Sequence, residues 1–141
     1  MIEFINETTQ PIDSIIFEPI YNHLTTHDIE CYIVDAKSMQ AINNETRHID
    51  KATDVLSFPL EMTPSSTSML GTIVICLDLA LTFSQELGHT LDQELQLLFM
   101  HGLLHLQGFD HEDDNGEMRS KEEELIHHFN LPESLIIRNQ E

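Results

Sequence analysis

Hydrophobic positions along the chain change rhythm repeatedly, and each rhythm predicts an element. Residues 2–5 alternate weakly and predict a short strand. Ile12, Ile15, Ile16, Ile20 and Leu24 form a helical stripe over 12–24. The β-rich run 30–34 (ECYIV) predicts a second strand, and 36–43 a short helix with Asp35 as its N-cap. A polar loop over 44–54 then holds Arg47, His48 and Lys51. Residues 55–60 (VLSFPL) predict a strand, and Pro59, which cannot donate to a ladder, puts it at a sheet edge or a strand end. A Ser/Thr/Pro-rich loop over 61–68 leads to 71–77 (GTIVICL), the strongest strand signal in the chain.

The second half is helical. Asp78 reads as the N-cap of a helix over 79–87, with Gly88 as its stop. Thr90 and Gln93 form a capping box for a helix that runs through Leu91, Leu95, Leu98, Phe99 and Gly102 to Leu106, with Gly108 ending it. Residues 118–129 predict another helix and 131–138 a short C-terminal one. About four strands and four to five helices make a mixed α/β (α+β) arrangement, expected as one domain over 1–141.

Composition narrows the class. A chain of 141 residues with 40% apolar content can bury a core without staples. Cys31 and Cys76 lie far apart among apolar neighbours, so buried free thiols in a reducing compartment are expected. The start (MIEFINETTQ) has neither a basic region nor an apolar core of signal type. The longest apolar stretch, 95–106, is broken by His101, Gly102 and His105 and is too short to span a membrane. A cytoplasmic location without membrane partners is the expectation. Charge pulls against one function: six basic residues face 25 acidic ones, a net −19, whereas nucleic-acid binders usually carry the opposite balance.

The segment HGLLHLQGFDH, residues 101–111, carries the chemistry. Residues four apart on a helix lie about 40° apart around its axis, so His101 and His105 can grip one ion. A third ligand has to come from beyond the helix. Gly108 supplies the break, and His111 follows three residues later. Three neutral imidazoles suit zinc and leave a fourth position open, the arrangement of catalytic rather than structural sites. The other histidines show no such pattern. His127 and His128 are adjacent and read as surface residues, and His23, His27, His48 and His89 stand apart. The run 110–114 and residues 122–124 read as a solvated acidic loop and helix face.

The histidine spacing equals that of the metzincin proteases, whose general base is the glutamate after the first histidine. Gly102 occupies that position and cannot take a proton. Peptide hydrolysis by that route is disfavoured, although the metal site stands.

The same string resembles the H-G-x-L-H-L-x-G-[YF]-D-H signature of the bacterial YbeY family of zinc-dependent endoribonucleases. Residues 47–60 (RHIDKATDVLSFPL) are similar to the family's R-x-x-D-x-x-T-[ND]-V-L-S-F-P segment, and 70–76 (LGTIVIC) to its L-G-D-I-[VI]-I-C strand. The resemblance spans residues 47–124. It implies a small α/β domain with one zinc ion at the end of a cleft, held by His101, His105 and His111. It implies that Arg47 matters for activity. It also implies a single-strand-specific endoribonuclease in small-subunit ribosomal RNA maturation and ribosome quality control, with precursor rRNA and the ribosome or a ribosome-associated protein as partners. Arg47 would meet a phosphate, with Lys51 as a supporting point charge. Asp110 is the nearest candidate base, or else a partner orienting a histidine. Thr72 departs from the pattern, replacing an aspartate. Two alternatives stay open: a metallopeptidase-like hydrolase with an atypical base, and a non-catalytic zinc-containing ribosome-assembly factor.

Overall fold

Where a helix lies between two strands, the long crossover it makes favours parallel pairing, and the chain begins that way. A computed structural model describes residues 1–60, 69–110, 112 and 114–133. Strand β1 (Ile2–Asn6) leads through a 3₁₀ turn (Ser14–Phe17) and helix α1 (Glu18–Leu24) to β2 (Asp28–Val34). Helix α2 (Ala36–Arg47) leads to β3 (Val55–Pro59), and β4 (Met69–Cys76) runs directly into α3 (Leu77–Leu87). Helices α4 (Leu91–Leu106) and α5 (Glu117–Phe129) follow. The strands form one mixed sheet in the order β1-β2-β4-β3. The first two pairings are parallel, and β3 lies antiparallel to β4. Pro59 therefore sits on an edge strand, where its missing donor costs no ladder bond.

Side chains alternate across the sheet and give it two packed faces. Ile73 and Ile75 of β4, with Ile29, Cys31 and Ile33 of β2, face α4 and its buried Leu95, Leu98 and Leu103. Val74 and Cys76 join Val34, Leu56 and Met39 of α2 on the other side. Helices α2 and α4 thus cover opposite faces. Both cysteines are buried and free, as expected. Among the described residues no helix is long and apolar enough to cross a membrane.

Several boundaries differ from the sequence reading for identifiable reasons. The stripe over 12–24 is not one helix. Asp13 accepts from the Ile15 N–H and starts a 3₁₀ turn, and the α-helix begins only at Glu18, with Pro19 in its first turn, where a missing N–H is tolerated. Helix α2 continues four residues past the predicted Asn43, so Arg47 is helical rather than in a loop. The apolar stripe stops at Ile42, but the buried Asn43 and the exposed residues after it go on making helical bonds until His48 turns left-handed at φ 59°. Asp78 is not an N-cap. The helix starts one residue before it, and its carboxylate instead accepts the Ala36 N–H at 2.6 Å, capping α2 from a neighbouring element. Residues 131–133 are not helical, and the rest of the predicted 131–138 helix, like the 61–68 loop, lies outside the described residues.

Candidate metal centre

Helix α4 builds the site. Its start is held by the predicted capping box: the Thr90 hydroxyl accepts from the Gln93 N–H and the Gln93 side chain accepts from the Thr90 N–H. Its end is a Schellman motif. The Gly108 N–H donates to the His105 carbonyl at 3.0 Å and the Phe109 N–H to the Leu104 carbonyl at 3.1 Å, with Gly108 left-handed at φ 96°. This turn has a chemical consequence. It brings the Phe109 carbonyl oxygen back to 2.9 Å from Nδ1 of His105.

His101 is oriented by a different element. Its Nδ1 lies 3.0 Å from Oε2 of Glu122 on α5, and Glu122 is fully buried. Glu122 therefore does not belong to a solvated face. The signal was present in the sequence: Glu122 stands four residues after Met118 and three before Leu125, both buried, on the apolar stripe of α5.

A carbonyl and an ionised carboxylate can only accept, so both Nδ1 atoms carry the proton. The two Nε2 atoms are then lone-pair donors to a metal, and they converge to 3.2 Å. Two nitrogens on a tetrahedral ion with bonds of roughly 2.0–2.1 Å stand about 3.3–3.4 Å apart. The donor chemistry and spacing fit a divalent ion such as zinc, and both rings are anchored through their far nitrogen, as metal-binding histidines usually are. His111 lies outside the described residues. Among the described residues no group of three or more metal-ligating side chains comes together.

The glycine after His101 also has a structural cause. A Cβ at Gly102 would stand 2.9 Å from Cγ2 of Ile73 and 3.2 Å from Oγ of Ser57, whose hydroxyl donates to the Gly102 carbonyl at 3.1 Å. Position 102 faces the sheet, pressed against β3 and β4. A glutamate there would point into packed strands, not toward the histidine pair.

The remaining candidates fall elsewhere. Arg47 is exposed at the last turn of α2, on the helix that packs against the other sheet face, and the bonds that orient the histidines do not include it. Gln40 and Asn43 of α2 brace the segment after it, donating to Asp50 and to the Lys51 carbonyl. Asp110 is exposed and accepts from the Glu112 N–H at 3.1 Å, a local turn bond. Asp114 accepts from the Gly116 and Met118 N–H groups and so secures the start of α5. His89 is not isolated: its Nε2 lies 2.7 Å from a fully buried carboxylate, Glu94 of α4. His128 is exposed, as expected of a surface residue, and stacks on His23 with ring centroids 4.7 Å apart.

A family model described as Endoribonuclease YbeY matches residues 5–130. A protein named Endoribonuclease YbeY from Nautilia profundicola is 52% identical over 141 residues, the whole of both chains. One of the same name from Campylobacter jejuni is 57% identical over 124 residues, 88% of this chain and 91% of that protein. The solution structure of a Thermotoga maritima protein superposes with a TM-score of 0.60 at 27% identity, covering 88% of this chain and 85% of that one. With that identity sustained over nearly its whole length, the chain belongs to the endoribonuclease YbeY family.

Proposed function

We propose that the protein is a zinc-dependent endoribonuclease that cuts single-stranded RNA, acting in the cytoplasm in small-subunit rRNA maturation and ribosome quality control. The observation that carries the metal-dependent reading is the convergence of Nε2 of His101 and Nε2 of His105 to 3.2 Å, each ring held by its Nδ1. His111 is the third ligand of one ion. Zinc, when bound, supplies a Lewis acid that polarises a phosphate oxygen or a water molecule. The chain supplies the rest. Glu122 and the Phe109 carbonyl hold the two imidazoles with both Nε2 atoms turned to one point. Arg47, free of ion pairs among the described residues, offers a planar guanidinium that matches phosphate oxygens in pairs.

The acidic body limits affinity. At a net charge of −19 the isolated protein gains little from counterion release, so it works with the ribosome or a ribosome-associated protein that presents the RNA. The packing at Gly102 closes the metzincin route, and a peptidase would need its base at another position.

The test is metal analysis of the purified protein with cleavage assays on a single-stranded RNA and on a peptide panel. Wild type should carry zinc and cut RNA in a chelator-sensitive way. His111→Ala should lose metal and cleavage, and Arg47→Ala should keep metal and lose cleavage. Chelator-sensitive peptide turnover without RNA turnover overturns the reading. Undiminished rRNA processing by Arg47→Ala in cells, with zinc retained, favours an assembly factor instead.

A further inference from the structure

The sheet face opposite α4 is only partly covered by α2, and beside it lies a cleft of about 350 Å³ lined by Glu7, Glu30, Tyr32, Phe58, Thr72 and Val74 among others. None of these residues takes part in the histidine centre. We infer that this cleft is a base-binding subsite that takes one unstacked guanine of the RNA substrate, an inference that rests on the endoribonuclease reading and extends it to sequence preference.

The walls are aromatic and the floor is apolar. Tyr32 of β2 is paired with Val74 of β4, and Phe58 of β3 with Thr72 of β4. The two rings therefore rise from strands on either side of β4 and two residues out of step, which sets their Cα atoms roughly 11–12 Å apart by strand spacing and rise. Val74 and Thr72 lie between them. That leaves room for a flat heterocycle laid against either ring, and both rings are only half-buried. Stacking on aromatic side chains is how single-stranded RNA bases are generally held.

The polar group selects the base. Glu30 and Thr72 are register partners on adjacent strands, and the Thr72 hydroxyl donates to Oε1 of Glu30 at 2.8 Å. This bond fixes the carboxylate over the cleft, and among the described residues its other oxygen takes no hydrogen bond. The resemblance leads one to expect an aspartate at position 72. Here the carboxylate is carried instead by the cross-strand neighbour, and Thr72 orients it. An ionised carboxylate only accepts, so it reads neighbouring donors. Guanine presents two, N1–H and the N2 amino group, side by side. Uracil presents one, and adenine and cytosine only their amino groups. Glu7, exposed at the rim, repels phosphate and keeps the backbone outside while the base enters. On a body this acidic, base contacts can supply affinity that phosphate contacts cannot.

The experiment titrates guanosine, adenosine, uridine and cytidine, which carry no phosphate, into the full-length protein and follows amide shifts by NMR. Guanosine should shift Glu30, Tyr32, Phe58 and Thr72 and bind about tenfold more tightly than the other three, the discrimination a good paired contact gives. Glu30→Gln should abolish that preference, and Tyr32→Leu should weaken all four nucleosides together. On RNA, Glu30→Gln should change the distribution of cleavage positions relative to guanine. Equal response to all four nucleosides, or shifts outside the cleft, overturns the proposal. So does saturation of the cleft by an arginine-rich peptide with no response to guanosine, which marks a protein-binding groove. Each result stands apart from the nuclease reading, because nucleoside binding is read without cleavage and RNA cleavage by wild type without the cleft.

Discussion

Removing the acceptor behind His101 tests the centre without touching a ligand. Glu122→Leu keeps most of the side-chain volume and deletes the carboxylate that lies 3.0 Å from Nδ1. Glu122 is fully buried and His101 only 6% exposed, so water cannot readily substitute. The His101–Glu122 bond strengthens when a cation pulls electron density from Nε2, because the ring becomes a better donor. A hydrogen bond to a charged group contributes about 1.5–3 kcal/mol, which corresponds to roughly a 10- to 150-fold change in an equilibrium constant. Loss of a partner behind a metal-binding histidine typically lowers metal affinity by about 10–100-fold.

The assay is competition for zinc between the purified protein and a chromophoric chelator. Glu122→Leu should bind about 10–100-fold more weakly than wild type. Glu122→Gln keeps an acceptor oxygen and should fall in between. Glu123→Ala is the control, since Glu123 is exposed and pairs only across one helical turn with Arg119 at 3.3 Å, a contact of little energetic consequence. Unchanged zinc affinity in Glu122→Leu would refute the reasoning. A loss equal to that of Glu123→Ala would do the same.

Other consequences are local. Gly102→Ala should lower stability by about 1–2 kcal/mol in chemical denaturation, as overpacking against Ile73 and Ser57 outweighs the better helix propensity of alanine; a more stable variant would mean that α4 does not press on the sheet there. The Ser38 N–H, 2.8 Å from Asp35, holds the Asp35 carboxyl below the usual carboxylate range. A depressed folded pKa stabilises above the unfolded value of about 3.9 and is lost as pH falls through the folded one, so the stability gap between wild type and Asp35→Ala should narrow on acidification below about pH 4. A gap independent of pH contradicts this. Burial pushes the Cys31 and Cys76 thiols up, so neither should react with a thiol reagent until denaturant is added. Prompt reaction of the native protein would place them at the surface.

What could be read from the sequence was what lies within a few residues. The capping box of α4, the left-handed glycine after it, the His101–His105 pairing and the edge position of Pro59 all depend on spacings of five residues or fewer, or on one residue's covalent geometry. What could not be read depends on partners brought together by the fold. Glu122 meets His101 across 21 positions, and Asp78 meets the Ala36 N–H across 42. A glutamate among other glutamates reads as solvated until an apolar stripe is drawn through Met118 and Leu125, which shows it pointing inward. An aspartate before a helical stripe reads as that helix's own cap, because sequence cannot show the other N-terminus beside it. Arg47 reads as a loop residue because the apolar signal ends before the helix does.

Position 102 shows why the same histidine spacing need not imply the same chemistry. Helix α4 is buried on nearly every side, and successive residues answer to different neighbours. His101 and His105 share one stripe, turned toward Glu122 and the returning Phe109 carbonyl. Gly102 and Leu106 share the next, about 100° around the axis, where each touches β4: Gly102 at Ile73, and Leu106 at Gly71, whose own Cβ would lie 2.8 Å from Cδ2 of Leu106. A base can follow the first histidine only if that second stripe faces the substrate. Here it faces the sheet, and close approach of backbone to strand demands glycine. The packing of α4 thus removes the protease base, and the two oriented imidazoles survive because they occupy a different face. The divergence from peptide chemistry is set by which side of one helix the sheet covers.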